Sequence, residues 1–205
     1  MGRAAAILAG GESQRLKTKS LVMLAGKPMI LRIIDECRSV TDEVLVIVNS
    51  QEQMNSIARL VGETDARIIV DRSESFQSPL LGAHTAFENS RQELTLLLPC
   101  DTPLIKTQVL ELLFSMVSGW DAVVPRHPNG HIEPLHAVYR TGVALKSAED
   151  ALSSGERSMR DLIIKLRVLY LSTETIRQLD PELESFTNVN TPAQLKQLEA
   201  RITHH

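Results

Sequence analysis

The chain is predicted to fold as an α/β domain of Rossmann-like, three-layer form with a mostly parallel central sheet. Short runs rich in β-branched residues or leucine recur through its first half: AAAIL from Ala4, VLVIV from Val44, ARIIV from Ala66 and LTLLL from Leu94. These runs are close to continuously apolar rather than alternating, as strands covered on both faces require. Between them lie segments with helical spacing, and strands alternating with helices build a parallel sheet.

Taken in order, AAAIL runs into Gly10-Gly11, and MILRIIDECRSV after Pro28 reads as a helix whose first turn suits the proline. VLVIV, ARIIV and LTLLL follow as further strands. In the less regular second half, DAVV from Asp121 and PLHAVYR from Pro134 read as strands. TGVALKSAEDALSSG from Thr141 reads as a helix ending at Gly155, and RVLYL from Arg167 as another strand. A last helix starts at Pro192, is capped by Thr191 and runs to about Arg201. No linker, repeat or low-complexity stretch interrupts the pattern.

At 205 residues with 43% apolar content, the chain suits one domain over residues 1–203 with a substantial core. His204-His205 fits the stub of an expression tag and is set aside. A formal net charge of −3 gives no general attraction to nucleic acid or to an anionic membrane, so neither is expected as a partner. The two cysteines, Cys37 and Cys100, are far apart and lack zinc or redox spacing. With no signal peptide and no long apolar run, the expected location is the cytoplasm.

Paired glycines after an apolar strand, followed by Arg15, Lys17 and Lys19, form a layout that can wrap backbone N–H groups around a phosphate and neutralise it. An ordinary strand-to-loop turn with surface lysines is the competing reading. The named phosphate loops do not fit. No third glycine completes a dinucleotide fingerprint, and Gly26-Lys27 is followed by Pro28 instead of Ser or Thr.

In parallel α/β sheets, ligands gather at the carboxyl ends of strands. The polar or small residues following the runs are Gly10, Gly11, Asn49, Asp71 and Asp101. Asp101, delivered by LTLLLPC and followed by Pro103, could hold Mg²⁺ through one or two oxygens, or could cap the next helix.

Several ordered motifs together resemble the molybdenum cofactor guanylyltransferases, a MobA-like group within the nucleotidyltransferases that activate sugars and cofactors. LAGGESQR with Lys19 is similar to the family's LAGG-x-S-x-R signature and following lysine, and LAGKPMI to the segment after it. VDRSESFQSPLLGA resembles an Asp followed by Gly-Pro-Leu-x-Gly, and PCDTPLI the metal-binding aspartate motif. EPLHAVYR resembles a Gln/Glu-Pro-Leu-x-Ala-x-Tyr strand, and FTNVNTPAQL a closing Asn-x-Asn-Thr-Pro.

The resemblance implies a nucleotide-diphospho-sugar transferase type of fold and transfer of GMP from GTP to the terminal phosphate of molybdopterin. It implies that Leu8, Ala9, Gly10 and Gly11 meet the nucleotide, with Lys19 at its phosphates. Asn49 and Asp71 would read base and ribose, and Asp101 would bind both GTP and Mg²⁺. Asn188 and Asn190 would face the acceptor or complete the metal shell. Arg15 and Lys19 would stabilise charge on departing pyrophosphate. Transient contact with molybdoenzyme apoproteins or cofactor-synthesis proteins would follow from such a product.

The chain departs from the pattern twice. The family commonly continues Arg-Met-Gly-x-Asp-Lys, whereas Arg15-Leu16-Lys17-Thr18-Lys19 is one residue shorter and lacks the Gly and Asp. Ser78 stands where the family prefers glycine, which bears on close backbone approach to the base. His131-Ile132-Glu133 matches the zinc-deaminase H-x-E, but no Pro-Cys-x-x-Cys follows it. His127, His131 and His136 are therefore expected on a surface loop and an adjoining strand. Cys100 is expected to be a small residue ending a buried strand, and Trp120 to pack at the core or its rim. The alternative functions are a related transferase moving CMP, UMP or GMP onto another phosphorylated acceptor, and a nucleotide-binding regulator without turnover.

Overall fold

The computed structural model describes residues 1–10, 21–62, 64–71 and 78–203. Its first half runs β1 (Arg3–Leu8), β2 (Met23–Leu24), β3 (Lys27–Pro28), α1 (Met29–Arg38), β4 (Glu43–Val48), α2 (Gln51–Val61), β5 (Arg67–Val70), α3 (Pro79–Asn89) and β6 (Leu94–Pro99). The second half runs α4 (Thr107–Ser115), β7 (Ala122–Arg126), β8 (Ala137–Arg140), α5 (Thr141–Ser153), α6 (Met159–Ile163), β9 (Val168–Ser172), α7 (Thr173–Ile176) and α8 (Pro192–Thr203).

Among the described residues, seven strands form one sheet in the order β5-β4-β1-β6-β8-β7-β9. The four apolar runs pair in parallel, β4 and β6 flanking β1 and β5 lying outside β4. Only β8 breaks the direction, running antiparallel to both β6 and β7. The sheet is thus mostly parallel, as its continuous apolar strands require.

Alternate side chains of the same strands feed two cores. Ala5, Ile7, Val44, Val46, Leu96 and Leu98 pack with α1, α2 and α4, whereas Ala6, Leu45, Ile47 and Leu97 pack with α3, α5 and α6. Each fully buried aliphatic side chain contributes roughly 2 kcal/mol, so this two-faced burial is what drives the layers together. Tyr139 sits wholly in the second core, edge-on to Phe87 with ring centroids 5.4 Å apart, and its hydroxyl donates to the Pro134 carbonyl at 2.7 Å.

Several boundaries differ from expectation. Pro28 is the cap of α1, not a helical residue, and it also closes the β2–β3 hairpin. In PLHAVYR only Ala137–Arg140 is strand; Pro134 to His136 turn the chain toward the sheet instead. The short α6 and the hairpin are elements the periodicity does not announce, because five and two residues are too few to show a period. At the C-terminus, Thr191 does cap α8, its hydroxyl accepting from Gln194 N–H at 3.2 Å.

Candidate active site

The connection order determines where a ligand can sit. From β1 the chain moves outward through β4 to β5, then α3 carries it back across the sheet to β6 on the other side of β1. Such a reversal opens a crevice at the carboxyl ends of β1 and β6, since their following loops diverge.

Gly10 leaves the end of β1. A side-chain carbon there would lie 1.7 Å from Asn49 Oδ1, so Asn49, at the end of β4, lies directly over the Gly10 backbone. The Asn49 segment is itself tied down, its N–H donating to Gln53 Oε1 at 2.9 Å, while Ser50 caps α2. Asp71 follows β5, its N–H donating to the Val48 carbonyl at 2.7 Å. Ala9 N–H reaches the Ile47 carbonyl at 2.8 Å, and the Leu8 side chain lies against Gly82 of α3. Leu8, Ala9, Gly10, Asn49 and Asp71 are therefore gathered at one edge. Gly11, Arg15 and Lys19 lie outside the described residues, as does the course of their loop.

Asp101 occupies the other side of the crevice. It is not the cap of the next helix, because α4 begins at Thr107, capped by Lys106, and residues 100–104 form turns. Cys100 N–H donates to the Leu8 carbonyl at 3.3 Å, which ties this turn to β1. Val189 N–H donates to the Asp101 carbonyl at 2.8 Å, so the closing Asn188-Val189-Asn190 segment is docked on the aspartate from more than eighty residues away. Ser78 caps α3 by accepting from Leu81 N–H at 3.2 Å, with extended backbone at φ −144°. That conformation makes no demand for glycine.

A cavity of about 630 Å³ opens beside Asp101, lined by Asn188, His131, Glu133, Arg157 and Arg160 among others. Its volume suits a small organic molecule. Sequence reasoning missed Glu133 and the two arginines as site residues. EPLHAVYR was a legible pointer to Glu133; nothing local marked Arg157 or Arg160, which α6 and the turn before it bring in.

The histidines divide in a way the sequence did not suggest. His131 is exposed on the loop, but His136 is buried and lies in the turn just before β8, not on the adjoining strand itself. They surround one carboxylate: His127 Nε2 and His131 Nε2 lie 2.9 and 3.5 Å from Glu133 Oε1, and His136 Nδ1 lies 3.6 Å from Oε2. Burial pushes the Glu133 carboxyl up, but His136, His127 and His131 outweigh it and hold the group below the usual carboxylate range. Cys100 is buried, as is Cys37, whose thiol burial pushes far up. Trp120 is at the rim, its carbonyl accepting from Arg140 Nε at 2.8 Å.

The model of the MobA-like NTP transferase domain matches residues 5–169 of this chain. A protein named molybdenum cofactor guanylyltransferase from Desulfosudis oleivorans is 33% identical over 199 residues, covering 96% of this chain and 94% of that one. One named probable molybdenum cofactor guanylyltransferase from Methanosarcina mazei is 31% identical over 207 residues, covering 98% and 91%. Among solved structures, molybdopterin-guanine dinucleotide biosynthesis protein A from Archaeoglobus fulgidus superposes with a TM-score of 0.82 at 28% identity, over 98% of this chain and 100% of that one. With a crevice at the strand reversal and a family model spanning most of its length, the chain belongs to the MobA-like NTP transferases.

Proposed function

We propose that this nucleotidyltransferase moves GMP from GTP onto the terminal phosphate of molybdopterin, releasing pyrophosphate and forming the guanine dinucleotide cofactor. The observation that carries the reading is the docking of Asn188-Val189-Asn190 on Asp101, beside a cavity large enough for an acceptor. Sequence likeness to named guanylyltransferases supports the choice of substrates.

In this reading the nucleotide lies over Leu8, Ala9 and Gly10, with Asn49 and Asp71 at base and ribose. The acceptor enters from the Asn188 and Arg157 side. An oxygen of its terminal phosphate forms a bond to the α-phosphorus of GTP in line, and the bond from that phosphorus to the α–β bridging oxygen breaks. The electron pair leaves with pyrophosphate. The nucleophile is already ionised, so no side chain need take a proton, and positioning with charge neutralisation supplies the catalysis. Arg157 and Arg160 are suited to hold the acceptor's phosphate, and Arg15 and Lys19 the departing one.

The donor set at Asp101 fits Mg²⁺. This cation takes one or two carboxylates and fills its remaining positions with substrate phosphates and water. Asp101 with the neighbouring Asn188 amide offers such a sparse set, and among the described residues no group of three His, Cys, Asp or Glu competes with it. When bound, the cation supplies charge neutralisation on the nucleotide oxygens. A cytoplasmic location agrees with the reading. Both cysteines are buried thiols, and no helix among the described residues is long and apolar enough to cross a membrane.

The test is pyrophosphate release with each nucleoside triphosphate in turn, with and without molybdopterin and Mg²⁺, for the native chain and Asp101→Ala. Release with GTP that needs the pterin and falls by at least about a hundredfold in the variant is expected. Preference for CTP or UTP, or indifference to the pterin, would overturn the substrate assignment.

A further inference from the structure

We propose that His136 is a positioning residue for Asp101, acting through Thr102. The catalytic consequence rests on the nucleotidyl-transfer reading above; the geometry does not. Thr102 follows Asp101 in the chain and is wholly buried. Its hydroxyl lies 3.4 Å from the Pro99 carbonyl, across the turn that carries Asp101. The same oxygen lies 3.2 Å from His136 Nε2. The hydroxyl can accept from an Nε2–H or donate to a bare Nε2, and either way one hydrogen bond joins His136 to Thr102.

The imidazole cannot swing away. It is 3% exposed, Phe186 stands edge-on to it at 5.1 Å between ring centroids, and its Nδ1 faces Glu133 Oε2 at 3.6 Å. Glu133 is fixed in turn by His127 Nε2 at 2.9 Å. A line of polar groups, His127 to Glu133 to His136 to Thr102, therefore crosses the cavity wall and ends at the turn bearing the proposed metal ligand. Main-chain bonds also tie that turn, from Cys100 N–H to the Leu8 carbonyl, from Ile105 N–H to the Thr102 carbonyl and from Val189 N–H to the Asp101 carbonyl. Of the side-chain bonds described above, that from His136 to Thr102 is the one joining β8's entry turn to Asp101's. Its loss strands a buried hydroxyl oxygen and frees the turn to shift. A displacement near 1 Å at a catalytic group can cost about a hundredfold in rate.

The experiment uses the full chain with His136→Leu, His136→Gln, whose amide can donate or accept in place of Nε2, and Thr102→Val. Amide hydrogen exchange is followed without ligand at Val189 and Ile105, whose N–H groups bond to the Asp101 and Thr102 carbonyls, and at Leu97 in the sheet. His136→Leu and Thr102→Val are expected to speed exchange at Val189 and Ile105 about tenfold and leave Leu97 unchanged. In turnover they are expected to lower kcat about tenfold or more with GTP KM within about threefold, and His136→Gln to recover most of both. Equal acceleration at all three amides, unchanged exchange at all three, or no recovery with Gln would overturn the proposal. Lack of turnover in the native chain would instead overturn the functional reading, while the exchange result still decides this one.

Discussion

Gly10 shows how one residue can be required for what lies opposite it. Asn49 Oδ1 occupies the space a side-chain carbon would need, at 1.7 Å from its ideal position, so Gly10→Ala must push the Asn49 amide aside. That amide is the far end of a flexible, half-buried side chain and can turn away, so the cost is about 1 kcal/mol or less, below that of overpacking a rigid core. The expectation is a fall of that size in urea-derived stability together with weaker GTP binding. In an Asn49→Ala background the added methyl finds room, and its cost should vanish. Equal costs in the two backgrounds, measured by denaturant titration, would show that the clash is not the reason. The need for glycine was legible in the paired Gly10-Gly11, and Asn49 was legible as the polar residue ending a strand. Their contact was not, since it joins residues nearly forty apart in the chain. Glu133, His136 and Tyr139 teach the same lesson, because each is placed by partners from other elements and only a three-dimensional fold reveals them.

At the scale of elements, the strands and long helices followed their apolar pattern closely, whereas short pieces were set by turn chemistry and contact. The β2–β3 hairpin turns through Ala25 and Gly26, both with positive φ, at 46° and 77°. Two residues with positive φ define the turn whose twist suits a tight hairpin, but alanine enters that region at a cost. The rest of the fold holds it there: Arg32 grips the Leu24 carbonyl at 2.8 Å, and Ala25 N–H donates to Glu199 Oε1 of α8 at 3.2 Å. Ala25→Asn, which gives the favoured Asn-Gly pair, should therefore raise stability by about 0.5–1 kcal/mol, read as a higher melting temperature. Ser78 supplies a second check. It caps α3, so Ser78→Ala should cost about 1 kcal/mol and Ser78→Gly only a few tenths. If glycine proved the most stable choice, the cap would not be what the serine provides.

Across the whole molecule, the C-terminal arm closes the site from outside the sheet, and ion pairs fasten it. Asp180 is wholly buried, with Lys106 Nζ at 2.7 Å and Ser185 N–H donating to it at 2.8 Å; Lys106 also meets Glu184 at 3.1 Å, and Glu184 meets Arg201 of α8 at 2.6 Å. The arm these bonds hold leads directly to Asn188 and Asn190. Burial raises the Asp180 carboxyl, but Lys106 and the Ser185 and Glu184 amides more than offset this and leave it below the ordinary value. Asp121 is lowered by its hydrogen bonds with Arg167, which outweigh burial, and Glu133 is lowered by its histidines. Each group holds its proton less firmly folded than unfolded. The unfolded chain therefore gains protons first as acid is added, and the stability these carboxylates provide is complete above the unfolded values near about 4 and lost as pH falls through the folded ones. A melting temperature level from about pH 8 to 5.5 and falling below about pH 4 is expected. Asp180→Asn should cost about 1.5–3 kcal/mol at pH 7, because Lys106 loses its buried anionic partner, and should make the acid limb shallower. Thermal melts of both chains from pH 3 to 8 decide it. An acid limb as steep in the variant as in the native chain would mean that the arm is held by its apolar contacts, Val189 and Leu198 against Leu24 and Met29, and not by the buried carboxylate.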